Sequence, residues 1–120
     1  MKRWFLRLSL VSLALSLLTG TASAANEAMK CESGPLLKTF GKTAWQVYGC
    51  ADGKSIVVMS AEGNPALPFY FMFYPKNGAY QLFGEGSGKK EYTAAAYQEL
   101  EKLTDADILK LHQQTKTIKK

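Results

Sequence analysis

Apolar and polar side chains alternate through the middle of this chain, then take up a helical spacing near its end. From Thr43 to Cys50, Trp45 and Val47 fall on one side and Gln46 and Tyr48 on the other. That period of two predicts a strand. Asp52-Gly53 separates this run from a second, Ser55 to Ser60, built on Ile56-Val57-Val58-Met59. The pair predicts a hairpin, because glycine accepts the positive φ of a tight turn. A third run, Phe69 to Tyr74, follows the turn formers of 61–66 and stops at Pro75. Asn77-Gly78 predicts a further hairpin into a fourth strand, Ala79 to Phe83. Upstream, Leu36 to Phe40 lies between Gly34-Pro35 and Gly41 and reads as a helical turn.

The period changes after the glycine-rich stretch 84–90, which reads as a flexible break. Thr93 to Leu103 sets Ala96, Leu100 and Leu103 on one helical face. Thr104 and Asp107 have capping-box spacing. They predict a second helix from Asp105 to about Gln114 that buries Ile108, Leu111 and Leu109, with His112 exposed. Strands first and helices last give an α+β fold. The expected architecture is a four-stranded antiparallel meander followed by two C-terminal helices packed on one face.

The first 24 residues have a different logic. A cationic start (Lys2, Arg3, Arg7) precedes an apolar run from Leu8 to Leu18 and a small-residue end, Ala22-Ser23-Ala24. This is the order of a secretory signal with its cleavage site. The apolar run is about half of the ~20 residues that a membrane span requires. Residues 1–24 are therefore expected to be a cleaved signal peptide and residues 25–120 a single small domain, periplasmic or secreted. No membrane span is expected in the mature chain. Processing also changes the charge. The chain carries 15 basic and 10 acidic residues, and loss of the leader leaves 12 against 10, a net charge of +2 with no arginine. Arginine is the preferred group for bidentate phosphate and base contacts, so no nucleic-acid partner is expected.

Cys31 and Cys50 are the two cysteines. In an exported chain an even count predicts a disulfide. Closing a loop of about 20 residues would stabilise so small a domain by roughly 3 kcal/mol in the chain-entropy model. The spacing fits no redox motif, and one histidine is too few to complete a zinc site. No metal or other cofactor is expected.

The run Phe69 to Tyr74 is the richest in aromatic residues. If the phenylalanines face the core, Tyr70 and Tyr74 face outward, joined by Tyr48 and Tyr80. Tyrosine offers an apolar ring and a hydroxyl together, which suits a protein or glycan partner in the cell envelope; the alternative is structural cover of this face by the N-terminal segment or a dimer mate. The segment Gly84–Lys90, with Ser87, Lys89 and Lys90, adds a basic loop, and Tyr92 follows it. It does not match a phosphate-binding loop, since Lys90 stands where the hydroxyl residue belongs. Catalytic parts are scarce. The thiols are committed to the bridge, and no spacing pairs two carboxylates. The expected function is a small exported non-enzymatic binding module. The alternatives are an inhibitor of lysozyme or another cell-wall hydrolase, and a small hydrolase.

The inhibitor alternative rests on two short stretches. Tyr48-Gly49-Cys50-Ala51-Asp52-Gly53 resembles the early strand of the small exported inhibitors of C-type lysozyme. Ser87-Gly88 followed by Tyr92 resembles the Ser-Gly-x-x-Tyr element with which that family reaches into the lysozyme cleft. The resemblance implies inhibitory roles for Ser87 and Tyr92. The chain departs from the family in three ways: the tyrosine comes one position late, the later partner cysteine is missing, and helices stand where the family has strand. Membership does not follow.

Overall fold

A computed structural model describes residues 30–118, so the signal-peptide expectation for residues 1–24 lies outside the described residues. The meander has five strands, not four. They are β1 (Ser33–Phe40), β2 (Thr43–Gly49), β3 (Ile56–Ser60), β4 (Phe69–Lys76) and β5 (Ala79–Gly86), antiparallel and in spatial order β1-β2-β3-β4-β5. Two helices follow, α1 (Lys90–Leu100) and α2 (Asp105–Lys116).

The extra strand is the segment read as a helical turn. Leu36 and Leu37 are adjacent and face opposite ways, which hides the alternation. Phe40 pairs with Thr43 across a two-residue turn, with Gly41 at φ 59° and Lys42 at φ 66°. A lysine at positive φ is uncommon, so this turn carries no Asn-Gly signature. Asn77-Gly78 does carry it, with φ values of 53° and 82°, and joins Lys76 to Ala79 as expected. Asp52-Gly53 lies in a wider loop than a tight hairpin, since β2 ends at Gly49 and β3 begins at Ile56. The stretch 84–90 is not a break throughout, because β5 runs to Gly86.

Both helices cover one face of the sheet. That inner face carries Trp45, Val47, Ile56, Val58, Phe71 and Phe73, which form one core with Ala96, Leu100, Ile108 and Leu111. Full burial of each large apolar side chain contributes about 1.5–3 kcal/mol. Trp45 is fully buried, and its Nε1 donates to Phe40 O (3.0 Å) and Thr43 Oγ1 (3.0 Å). Helix α1 sits directly on the β1–β2 turn. A Cβ at Gly41 would come within 2.5 Å of Ala96 N, and Gly41 N donates to Glu99 Oε1 at 2.9 Å. This helix starts at Lys90, ahead of the expected Thr93, and has no side-chain cap.

Helix α2 starts at the expected capping box. Thr104 Oγ1 accepts from Asp107 N (3.1 Å), and Asp107 Oδ2 accepts from Thr104 N (2.9 Å). These two Thr104 contacts hold the Asp107 carboxyl below its ordinary pKa. Ile108 and Leu111 are buried, whereas Leu109 is 42% exposed.

The far end of α2 locks onto the start of the sheet. Cys31 and Cys50 form the expected disulfide (S–S 2.01 Å). His112, expected to be exposed, is 2% exposed, and its Nε2 lies 2.8 Å from Cys50 O. It follows Ile108 by four residues and so shares the buried stripe of the helix. Thr115 Oγ1 donates to His112 O (2.6 Å) and lies 3.2 Å from Ser33 Oγ. Only glycine fits beneath this contact. A Cβ at Gly49 would meet Thr115 Oγ1 at 2.5 Å and the His112 ring at 3.1 Å. No helix among the described residues is long and apolar enough to cross a membrane.

Candidate functional site

The site builds from strand register. In an antiparallel sheet, paired residues share a face. One row across the outer face is Leu37, Gln46, Met59, Tyr70 and Glu85. The next is Tyr48, Val57, Met72 and Phe83, and a third begins with Tyr74 and Gln81. Among the described residues, no element covers this face.

Its character is apolar and uncharged at the centre. Leu37 is 66% exposed, Met59 43% and Phe83 36%, while Tyr48, Val57, Tyr70 and Tyr74 are half-buried. Met72, between Val57 and Phe83 in register, is buried. Phe83 meets Tyr70 edge-on (centroids 6.1 Å apart) and Tyr74 likewise (5.7 Å). Glu85 and Lys76 are the charges on the β4–β5 part of the face, at opposite ends of that hairpin. Leu67, 49% exposed, continues the apolar area beyond Met59 and Tyr70, where the three line a hollow with Pro68 and Glu85. Exposed apolar residues scattered singly mean little, but a contiguous set marks a contact surface.

The expected surface residues divide. Tyr48, Tyr70 and Tyr74 lie together on the outer face. Tyr80 does not: it pairs with Pro75, on the side of Phe73, and packs edge-on against Phe73 (6.5 Å). Its hydroxyl donates to Lys54 O at 2.8 Å and so ties β5 to the 50–55 loop. Burial raises its phenol pKa, and the charges of Asp52 and Asp105 add to that. Ser87, Lys89, Lys90 and Tyr92 also lie away from the tyrosine face. The amides of Ser87 and Gly88 both donate to Pro68 O (3.1 and 3.0 Å), which pins this connection. Lys89 precedes α1, and Lys90 and Tyr92 lie in its first turn. Tyr92 packs against the core from the helix side.

Met59, Met72, Phe83 and Leu37 were not among the expected contact residues, although Met72 shares the side of Tyr70 and Tyr74 in its run. Alternation within β3 and β5 carries the first and third, once Tyr48 and Tyr70 are assigned outward. Leu37 depended on recognising β1.

The polar groups near the bridge serve the fold. Asp52 accepts from Lys54 N (2.9 Å), Ser55 N (2.7 Å) and Ser55 Oγ (2.5 Å). Burial opposes its ionisation, but these hydrogen bonds and the nearby His112 outweigh it and hold the carboxyl below its ordinary pKa. Ser55 Oγ thus donates to a carboxylate, while His112 Nε2 is committed to a main-chain carbonyl. No cluster of three potential metal ligands occurs among the described residues.

Comparison of the chain with protein families, curated proteins and solved structures finds no match. The functional reading therefore rests on the chemistry of the surface itself.

Proposed function

We propose that this chain is an extracytoplasmic, non-enzymatic binding module that docks a partner on the outer face of its sheet. The carrying observation is a contiguous outer face of Tyr48, Met59, Tyr70, Tyr74 and Phe83 with no charge at its centre. Interface cores are enriched in tyrosine, phenylalanine and methionine and depleted of charge, which fits this composition. The disulfide supports an oxidising compartment, in line with the leader expected at residues 1–24.

The partner class is a protein or glycan of the cell envelope. The test is capture from a periplasmic extract with the wild type and a Tyr70→Ser/Tyr74→Ser variant. The wild type should retain a partner that the variant loses at unchanged far-UV circular dichroism. A folded variant that keeps every partner would reject this surface.

A further inference from the structure

We infer that the outer face is completed by a second copy of this chain, related by a two-fold axis that runs across the strands. This rests on the binding reading above and names the partner. The first argument is charge complementarity. On the β4–β5 hairpin, Lys76 stands beside the turn, paired with Ala79, and Glu85 stands at the far end, paired with Tyr70. They are six positions apart in register, roughly 20 Å along a strand. Between them lie Met72, Tyr74, Gln81 and Phe83, all uncharged.

A two-fold across the strands, midway along this hairpin, reverses the strand direction in the facing copy. It sets Lys76 over Glu85 of the partner subunit, and Glu85 over Lys76 of the partner subunit. The uncharged stretch is then enclosed between two ion pairs. A two-fold along the strands fails the same test. It exchanges the β5 and β1 sides, so Glu85 would be covered by Leu37 of the partner subunit, an unpaired carboxylate against an alkyl group. Such burial is costly. The two charges therefore select one of the two face-to-face arrangements open to a closed, self-complementary pair.

The second argument is area. Five strands about 4.8 Å apart and up to eight residues long present a face of roughly 600 Å² per copy. The pair would bury roughly 1,200 Å² in total, at the lower limit for a specific interface. The dimer is thus expected to be weak and in exchange with monomer.

The experiment is sedimentation equilibrium on the disulfide-bonded mature chain, from about 5 to about 500 µM, a range that spans a weak association constant. The wild type should shift from monomer to dimer with concentration. K76E and E85K each place like charges opposite one another twice, and each should weaken the dimer by roughly tenfold or more. The double variant K76E/E85K restores opposite charges in the same geometry and should recover the dimer. Both positions are exposed, so circular dichroism should be unchanged in every variant.

A wild type that remains monomeric throughout overturns the inference. So does a dimer indifferent to both single changes, which would point to another surface such as the β5 edge. If the chain is monomeric but the Tyr70→Ser/Tyr74→Ser variant loses an envelope partner, the binding reading stands and the second copy is excluded. If the dimer forms as described and no other partner is captured, the face serves self-association alone.

Discussion

The two faces of this sheet both carry large apolar side chains, yet the described elements cover only one. On the inner face Trp45, Val47, Ile56 and Val58 are fully buried, with Phe71 2% and Phe73 3% exposed. On the outer face Leu37, Met59 and Phe83 are at least a third exposed. Helix α1 offers Ala96 and Leu100 to the core, and α2 offers Ile108 and Leu111. Hydrophobic composition alone would not separate the two faces. Connection lengths and the side on which the helices return do. The lesson is that an apolar face left open by the described elements is a candidate contact surface rather than a failed core.

The contrast can be broken by matched substitutions. Trp45→Ala should cost about 3–5 kcal/mol through a cavity at the centre of the inner face. Phe83→Ser on the outer face should change monomer stability by about 1 kcal/mol or less. Urea melts of the dilute monomer would measure both, and equal losses would mean that the outer face is part of the core. Next in size, Cys31→Ser should lower stability by roughly 3 kcal/mol. The same transition in reducing and non-reducing buffer would show that the bridge contributes nothing.

Gly49→Ala sharpens the comparison from the inner side, where His112 and Thr115 leave no room for a Cβ. Overpacking of this kind costs about 1–3 kcal/mol. The pairing Thr115→Ser with Gly49→Ala keeps the clashing hydroxyl and should not rescue, whereas Thr115→Ala should recover part of the loss.

The smallest effect concerns acid. Asp52 titrates below its ordinary value in the folded chain. Its contribution is therefore present above the unfolded carboxylate pKa and lost as pH falls through the folded one. Thermal melts from about pH 5 to about pH 2 should show a shallower loss of stability in Asp52→Asn than in the wild type. Identical slopes would remove Asp52 from the acid response.

Much of this arrangement was legible in the chain. Strand β2 follows from alternation, β3 and β4 from apolar and aromatic runs bounded by turn formers, the β4–β5 turn from Asn77-Gly78, and the start of α2 from Thr104 and Asp107. The first strand was hidden because Leu36-Leu37 puts apolar groups on both faces at once and its turn uses Gly41-Lys42. Tyr80 was placed on the wrong face for lack of register. A two-residue turn pairs Lys76 with Ala79 and so sets Tyr80 opposite Pro75, on the phenylalanine side. His112 was readable in the spacing of Ile108, Leu111, His112 and Thr115, one continuous stripe of a helix, but a polar type at such a position reads as exposed. Tyr48, Tyr70, Met72 and Tyr74 of the candidate surface needed only alternation. The rest required knowing which strands are neighbours, a tertiary fact that local spacing does not encode.

The meeting of Thr115 and His112 with Ser33 and Cys50 has a temporal consequence. Synthesis begins at the other end, so the sheet's first two strands exist long before the turn of helix that caps them. The hydroxyls of Ser33 and Thr115 are 82 positions apart. Closure of that distance waits until helix α2 is available. This seal is therefore a late one, and loss of only the last turn of α2 would open the sheet at Ser33 and Gly49.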